Sequence, residues 1–143
     1  MNPEQKPLCP ECRQAGKPID LLTLKAQLSV SLTELRQSEY LFCPAQGCSI
    51  VYFSADGSQS FPETQLRERV YQKHRGDDDV FVCYCFRHTV GSIRRELAAT
   101  QQSTVVATVT AGIKADQCAC EVRNPQGNCC LGNVRAAVKQ AQS

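Results

Sequence analysis

The sequence predicts an α+β protein in which a small β-rich module at the N-terminus precedes a small helical module. Three observations favour this architecture. The chain of 143 residues has ten cysteines in five closely spaced pairs, which is typical of small modules stabilised by a bound metal. The segment SIVYFS (49–54) has the β-branched and aromatic composition of a strand. Beyond residue 88, by contrast, the apolar residues follow helical spacing.

Composition and charge exclude several classes of protein. The net charge is only +2, so we expect no nucleic-acid partner, which would require a basic patch. The first twelve residues, MNPEQKPLCPEC, are polar and lack the apolar stretch of a signal peptide. Apolar runs stay well short of the roughly 18 residues of a membrane helix. We therefore expect a cytoplasmic protein that is not embedded in a membrane. In the cytoplasm disulfides seldom persist.

The first four cysteines have the spacing of a structural zinc site. CPEC (9–12) and CPAQGC (43–48) each place two thiols around a tight turn that contains a proline. Two such turns complete the tetrahedral set of thiolates that Zn²⁺ prefers. The predicted zinc ligands are Cys9, Cys12, Cys43 and Cys48. A closed site of this kind stabilises a fold and does no chemistry, so we predict a zinc-ribbon-like β module over residues 1–76.

The last six cysteines have a different spacing, in a predicted helical module over residues 80–143. They are Cys83 and Cys85, Cys118 and Cys120, and the adjacent Cys129 and Cys130. CxC pairs and adjacent cysteines fit a zinc ribbon poorly, and soft thiolates also select Cu(I) and iron–sulfur clusters. A [2Fe–2S] cluster takes four cysteines, two on each iron. We therefore predict a small helical [2Fe–2S]-binding module.

Two predicted helices would offset the negative charge of such a cluster. VGSIRRELAAT (90–100) has helical spacing and Thr89 as its N-cap, and LGNVRAAVKQAQ (131–142) directly follows Cys130. The N-terminus of a helix presents free N–H groups and partial positive charge. We therefore expect the N-termini of both helices to face the cluster.

Several other segments are less clear. IDLLTLKAQL (19–28), TQLRERVY (64–71) and TVVATVTAGIK (104–114) each fit a helix or a strand, because their apolar residues suit both periods. KHRGDDD (73–79) is predicted to be a charged hinge between the modules, and residues 115–130 are predicted to form a loop.

The cysteine-containing segments resemble those of a known family. CYCF, followed about thirty residues later by a cysteine pair and a helix, resembles the bacterioferritin-associated-ferredoxin type of [2Fe–2S] domain. Two zinc knuckles, CYCF and CACEVRNPQGNCCLGNV together resemble the N-terminal part of CopZ-type copper chaperones. In that family a zinc site and a [2Fe–2S] cluster precede a copper-carrying domain with its own CxxC. The 143 residues contain no counterpart of that domain, so we do not expect copper delivery by this chain alone.

The resemblance implies a one-electron redox partner in the handling of copper or a similar soft metal, with reduction of Cu(II) to Cu(I). The implied partners are the metal ion and either a separate metal-carrying protein or a P-type metal ATPase. The alternative is a thiol-rich protein that sequesters metal or senses redox state without transferring electrons. We expect no conventional enzyme, because we find neither a Ser-His-Asp set nor a nucleotide-binding motif in the sequence.

The resemblance also bears on which cysteines hold the cluster. Against the ferredoxin pattern, EVRNPQGN (121–128) looks inserted within the second ligand pair. One ligand is then Cys118 or Cys120, and the other is Cys129 or Cys130. The gap of 32 residues after Cys85 favours Cys118, whereas similarity to the chaperone domain favours Cys120. The expected cluster ligands are Cys83, Cys85, Cys120 and Cys130, with Cys118 and Cys129 as alternates.

Overall fold

The computed structural model describes residues 7–142, in which strands dominate the N-terminal half and helices the C-terminal half. The strands are β1 Lys17–Ile19, β2 Tyr40–Phe42, β3 Ile50–Ser54, β4 Ser60–Pro62, β5 Phe81–Cys83 and β6 His88–Thr89. The α-helices are α1 Leu21–Gln27, α2 Val90–Thr100, α3 Val105–Lys114, α4 Cys120–Arg123 and α5 Leu131–Gln142. The predicted mixture of a β module and several helices is confirmed. Residues 1–6, where the predicted zinc module begins, lie outside the described residues.

The first four strands form one antiparallel sheet in chain order. The predicted strand at SIVYFS is confirmed as β3, and all five of its residues are buried. Successive side chains of a strand point to opposite faces of the sheet. Accordingly, Tyr52 packs in the core that contains α1, while Phe53 packs in the core that contains Cys9 and Cys43. The sheet thus separates the zinc ligands from the helix on its other face.

The segment 19–28 contains helix α1 rather than a strand. Leu24 and Leu28, four residues apart, are both buried against the sheet, which is the spacing of one helix face. Thr23 and Gln27 are also buried despite being polar. Such side chains need hydrogen-bond partners, and theirs lie in the C-terminal half of the chain.

The expected strand or short helix at residues 64–71 is absent. The segment begins inside the 3₁₀ turn Glu63–Gln65 and ends at the first residue of the 3₁₀ turn Tyr71–Lys73. The Arg67 N–H donates to the Gln27 carbonyl over 2.7 Å, and local sequence could not reveal a partner so far along the chain. In the charged segment 73–79, Lys73 is buried and most of the remaining residues are exposed turns. A hinge between the modules at this segment remains a prediction.

The two predicted helices of the C-terminal half are confirmed. Helices α2 and α5 cover 90–100 and 131–142, and Thr89 caps α2 in a reciprocal pair of hydrogen bonds with Ser92. The ambiguous segment 104–114 is a helix, α3. Burial explains why this segment is a helix and not a strand, since Val105 and Val109 lie on one helical face in the C-terminal core. The predicted loop 115–130 was partly wrong, because it contains the short helix α4.

The buried residues of the two halves form separate cores. One contains the helix-facing side of the sheet, and another contains Val82, Ile93, Val109 and Val134 of the C-terminal half. The halves meet where α1 packs against α4. Among the described residues, no helix has both the length and the apolar character needed to cross a membrane.

Candidate metal centres

The first four cysteines come together on one side of the sheet. The Sγ atoms of Cys9 and Cys48 lie 3.8 Å apart, and those of Cys12 and Cys43 lie 3.6 Å apart. All four sulfur atoms lie within 4.8 Å of one another. A tetrahedron of thiolates with Zn–S bonds of about 2.3 Å has sulfur–sulfur edges of about 3.8 Å. The geometry therefore fits a single zinc ion.

Each zinc knuckle closes through a residue in the left-handed region. Gly47 has φ 89°, as its position in CPAQGC suggests, and Arg13 adopts φ 63° just after CPEC. The Arg13 N–H donates to the Cys9 carbonyl over 2.9 Å. Left-handed backbone lets a short turn reverse tightly, so the sulfur atoms within each pair converge. The sequence did not reveal that Arg13 takes this role.

Burial dominates the electrostatics of this centre. It raises the pKa of Cys43 to about 12 and also raises the pKa of Cys48. Burial opposes ionisation of Cys12 as well, but the Gln14 backbone N–H and the neighbouring thiols bring its net pKa below the ordinary value. Thiolates are the form that binds zinc. The pocket therefore favours a bound cation over four free thiolates.

Lys73 is a residue at this centre that sequence analysis missed. Its side chain is buried, and its Nζ donates to the Ala45 carbonyl over 2.8 Å and lies 3.6 Å from the Cys43 Sγ. Four thiolates around Zn²⁺ leave a net negative charge, which an ammonium in contact offsets. No sequence signal pointed to this role, because the contact joins residues 30 positions apart.

We predict that Lys73→Met speeds the release of zinc to a chelator by about tenfold, because hydrogen bonds to charged groups contribute about 1.5–3 kcal/mol. The measurement is stopped-flow transfer of zinc to a chromogenic chelator. Lys25→Met is the matched control, since Lys25 is an exposed lysine in the same half of the chain. Equal release rates from the two variants would contradict a role for Lys73 at the zinc site.

A second group of cysteines meets in the C-terminal half. The Sγ atoms of Cys85 and Cys120 lie 3.5 Å apart, and the Cys130 thiol is close enough to those of Cys83 and Cys120 to shift their ionisation. The Ala119 N–H donates to the Cys85 Sγ over 3.1 Å. Sulfur atoms from three separate segments of the chain thus converge beside the C-terminal core.

Each of these cysteines lies at the end of an element or in the turn between two elements. Cys83 ends β5, Cys85 lies in the turn before β6, Cys120 begins α4, and Cys130 directly precedes α5. The N-terminus of α5 therefore adjoins the group, as expected. Helix α2 begins at Val90, and its first turn is capped by Thr89 and Ser92. That the N-terminus of α2 faces the cluster remains a prediction, and the Ala119 N–H is a donor that sequence analysis missed.

The thiols of this group shift each other's pKa. Hydrogen bonding from Cys130 lowers the pKa of Cys83 to about 7 and that of Cys120 to about 6. The pKa of Cys130 rises in turn, mainly because its thiol serves as the donor to Cys120 and Cys83. Burial raises the pKa of Cys85 to about 11. The lowered pKa values of Cys83 and Cys120 favour the thiolate form, which is the form that binds metal.

The remaining two cysteines differ in accessibility. Cys118 is partly buried, and Cys129 is exposed. Within the described part of the chain, the compact grouping inside 4.8 Å is formed by the first four cysteines, and the group around Cys130 is more spread out. The assignment of Cys83, Cys85, Cys120 and Cys130 as cluster ligands, with Cys118 and Cys129 as alternates, remains a prediction.

Comparisons with known proteins agree with the four-cysteine arrangement of the N-terminal half. The family described as a CopZ zinc-binding domain matches residues 6–67. The copper chaperone CopZ of Archaeoglobus fulgidus is 31% identical over 122 residues, which cover 85% of this chain and 57% of that protein. The X-ray structure of the A. fulgidus CopZ N-terminal domain superposes with a TM-score of 0.74 and 29% identity, over 90% of this chain and 95% of that one.

The resemblance of the cysteine segments to the N-terminal part of CopZ-type copper chaperones is thereby confirmed. The zinc-binding family match and the four converging sulfur atoms together identify a four-cysteine zinc site. The family match at 6–67 includes both zinc knuckles and stops short of the last six cysteines. This CopZ-type chain spans somewhat over half the length of its chaperone relative, 57%.

Proposed function

We propose that the chain binds a [2Fe–2S] cluster through Cys83, Cys85, Cys120 and Cys130 and serves as a one-electron redox partner in the handling of copper or a similar soft metal. The observation that carries this proposal is the convergence of sulfur atoms from three distant segments, with Cys85 and Cys120 3.5 Å apart. In this proposal residues 1–76 form the zinc module and residues 80–143 form the cluster module.

The donor set suits a two-iron cluster better than a single ion. Four thiolates, two on each iron, complete a [2Fe–2S] cluster. The spread of this group beyond the compact four-sulfur geometry of the zinc site matches ligands shared between two metals. The Ala119 N–H and the N-terminus of α5 supply positive partial charge at the sulfur atoms. When bound, the cluster supplies single-electron chemistry, which is sufficient to convert Cu(II) to the Cu(I) that thiolates prefer.

The relative's name supports copper as the metal, since that protein is a copper chaperone. We accordingly propose a copper ion as the substrate, and a P-type metal ATPase or a separate metal-carrying protein as the acceptor. All ten cysteines are unpaired, which suits a reducing compartment such as the cytoplasm.

The test is to purify the protein without oxygen and to measure iron, acid-labile sulfide and zinc. We expect about two iron and two sulfide per chain beside one zinc, with a reddish-brown colour. The dithionite-reduced protein should show the electron paramagnetic resonance signal of a reduced cluster. After excess dithionite has been removed, adding Cu(II) should restore the oxidised spectrum and produce one Cu(I) per oxidised cluster, which a Cu(I)-specific chelator detects. A colourless protein that contains zinc alone would refute the proposal.

A second candidate is supported by the accessibility of two thiols, Cys129 and, in part, Cys118. In this alternative the chain sequesters a soft metal ion or senses redox state without transferring electrons. Titration with Cu(I) separates the two functions. Binding that requires both thiols and leaves the iron in place favours sequestration, whereas a reversible cluster potential without bound copper favours electron transfer.

A further inference from the structure

Side chains of the N-terminal half hold the segment that joins two of the proposed cluster ligands. We call residues 121–128 the ligand loop, because it connects Cys120 to Cys129 and Cys130. Three side-chain donors reach backbone carbonyls of this loop. The pairs are Thr23 Oγ1 to Glu121, Gln27 Nε2 to Val122 at 2.9 Å, and Tyr52 hydroxyl to Pro125 at 2.5 Å. The loop is therefore held along most of its length.

The three donors are fully enclosed. Thr23 and Tyr52 are 0% exposed, and Gln27 is 2% exposed. Thr23 and Gln27 are four residues apart and so share a face of α1, and Tyr52 projects from the central strand β3. Both elements belong to the same core. Buried donors of this kind hold a fixed geometry, since leaving the acceptors unpaired is costly.

The ligand loop is also compact in itself. Asn124 is 1% exposed, and its Nδ2 donates to the Asn128 carbonyl over 3.0 Å. Gly127 has φ 82°, and a Cβ there would lie 3.1 Å from the Thr23 hydroxyl. At the far end, the Asn133 side chain of α5 donates to Gln126 over 3.0 Å. A loop with these contacts moves as one unit, so its anchoring to α1 and β3 determines where both ends lie.

We propose that Thr23, Gln27 and Tyr52 are positioning residues for the cluster, and that the zinc-binding half is thus a structural part of the cluster site. The inference rests on the proposed function. By holding the ligand loop, these donors keep Cys120 and Cys130 facing Cys83 and Cys85 before the cluster binds. An anchored loop loses less conformational freedom on binding, so the cluster is held more tightly.

Tyr52→Phe tests this directly, because it removes one hydroxyl and keeps the ring. We expect the cluster of this variant to be lost to an iron chelator about three- to tenfold faster than that of the unaltered protein, with zinc content unchanged. The amide hydrogens of the ligand loop should also exchange faster with deuterium. Both measurements use the full chain with zinc bound.

Tyr40→Phe is the matched control. Tyr40 is likewise buried, at 2% exposed, and lies on the neighbouring strand, but its hydroxyl donates to the Arg36 carbonyl within the N-terminal half. We expect its cluster to decay at the unaltered rate. Equal acceleration in both variants, or none in Tyr52→Phe, would overturn the inference. If Tyr52→Phe loses zinc, Gln27→Leu removes the bond to Val122 and is judged by the same criteria.

The two proposals fail in different ways. If the unaltered chain binds no iron or sulfide, the proposed cluster is wrong. Deuterium exchange of the zinc-bound chain still tests whether Tyr52 anchors the ligand loop. If the cluster binds but its stability and the exchange of the loop do not depend on Tyr52, the proposed function stands and the positioning role is wrong.

Discussion

Cys9→Ser is expected to release the zinc ion and to unfold the sheet of the N-terminal half. Cys9 is 0% exposed, and its sulfur lies 3.8 Å from that of Cys48. The sheet is small, and zinc binding by small modules contributes roughly 10–16 kcal/mol of apparent folding free energy. A serine hydroxyl does not replace a thiolate as a soft ligand. We expect zinc content to fall from about one per chain to near zero.

Metal analysis and thermal unfolding followed by circular dichroism measure this effect. Cys129→Ser is the control, because it makes the same chemical change at an exposed thiol, and we expect it to retain zinc and its melting temperature. Stoichiometric zinc in Cys9→Ser would mean that the four cysteines do not form the zinc site. If the ligand loop is anchored as proposed, Cys9→Ser should also lose iron, because α1 and β3 no longer hold it.

Cys120→Ser is expected to abolish cluster binding, whereas Cys118→Ser should leave it nearly unchanged. The Cys120 sulfur lies 3.5 Å from that of Cys85 and contacts the Cys130 thiol. A [2Fe–2S] cluster needs all four of its thiolates. We therefore expect the iron content of Cys120→Ser to be below about a tenth of that of the unaltered protein.

The cluster content of each variant is measured after anaerobic purification, from its visible absorption and its iron and sulfide content. Cys118→Ser is the control for Cys120→Ser, two residues away. At the adjacent pair, the single variant Cys130→Ser is the test and the single variant Cys129→Ser is its control. The reverse result, with the cluster kept in Cys120→Ser and lost in Cys118→Ser, would assign Cys118 as the ligand. Retention of the cluster in both Cys120→Ser and Cys130→Ser would refute the proposed ligand set.

Local signals predicted the elements whose structure depends on neighbouring residues. The strand at 49–54 followed from its β-branched and aromatic composition, and the helices at 90–100 and 131–142 followed from their spacing and, for the first, the Thr89 cap. The zinc site was predictable because each knuckle is a short turn whose two ligands are brought together by the residues between them. The sequence did not show how the two knuckles come together, because the sheet between them sets their relative position.

The segments at 19–28 and 104–114 show the limit of such signals. Their apolar residues suit a helix or a strand, and packing against the rest of the chain decided for the helix. The expected strand or helix at 64–71 is absent, because hydrogen bonds to the Gln27 carbonyl and to the Glu63 side chain hold that stretch extended. Gln27 lies 40 positions from Arg67, so local sequence gives no sign of that partner.

Sequence alone was sufficient to predict a four-cysteine zinc site, a β-rich first half and a helical second half with a separate group of thiols. These features depend on spacing, turns and periodicity, which act over a few residues. The position of Lys73 beside the zinc ligands and the bond from Tyr52 to the ligand loop 73 positions away are visible only in the folded chain. The first contact forms when the N-terminal half folds, and the second forms when the two halves pack. The free energy of both contacts depends on burial rather than on local propensity.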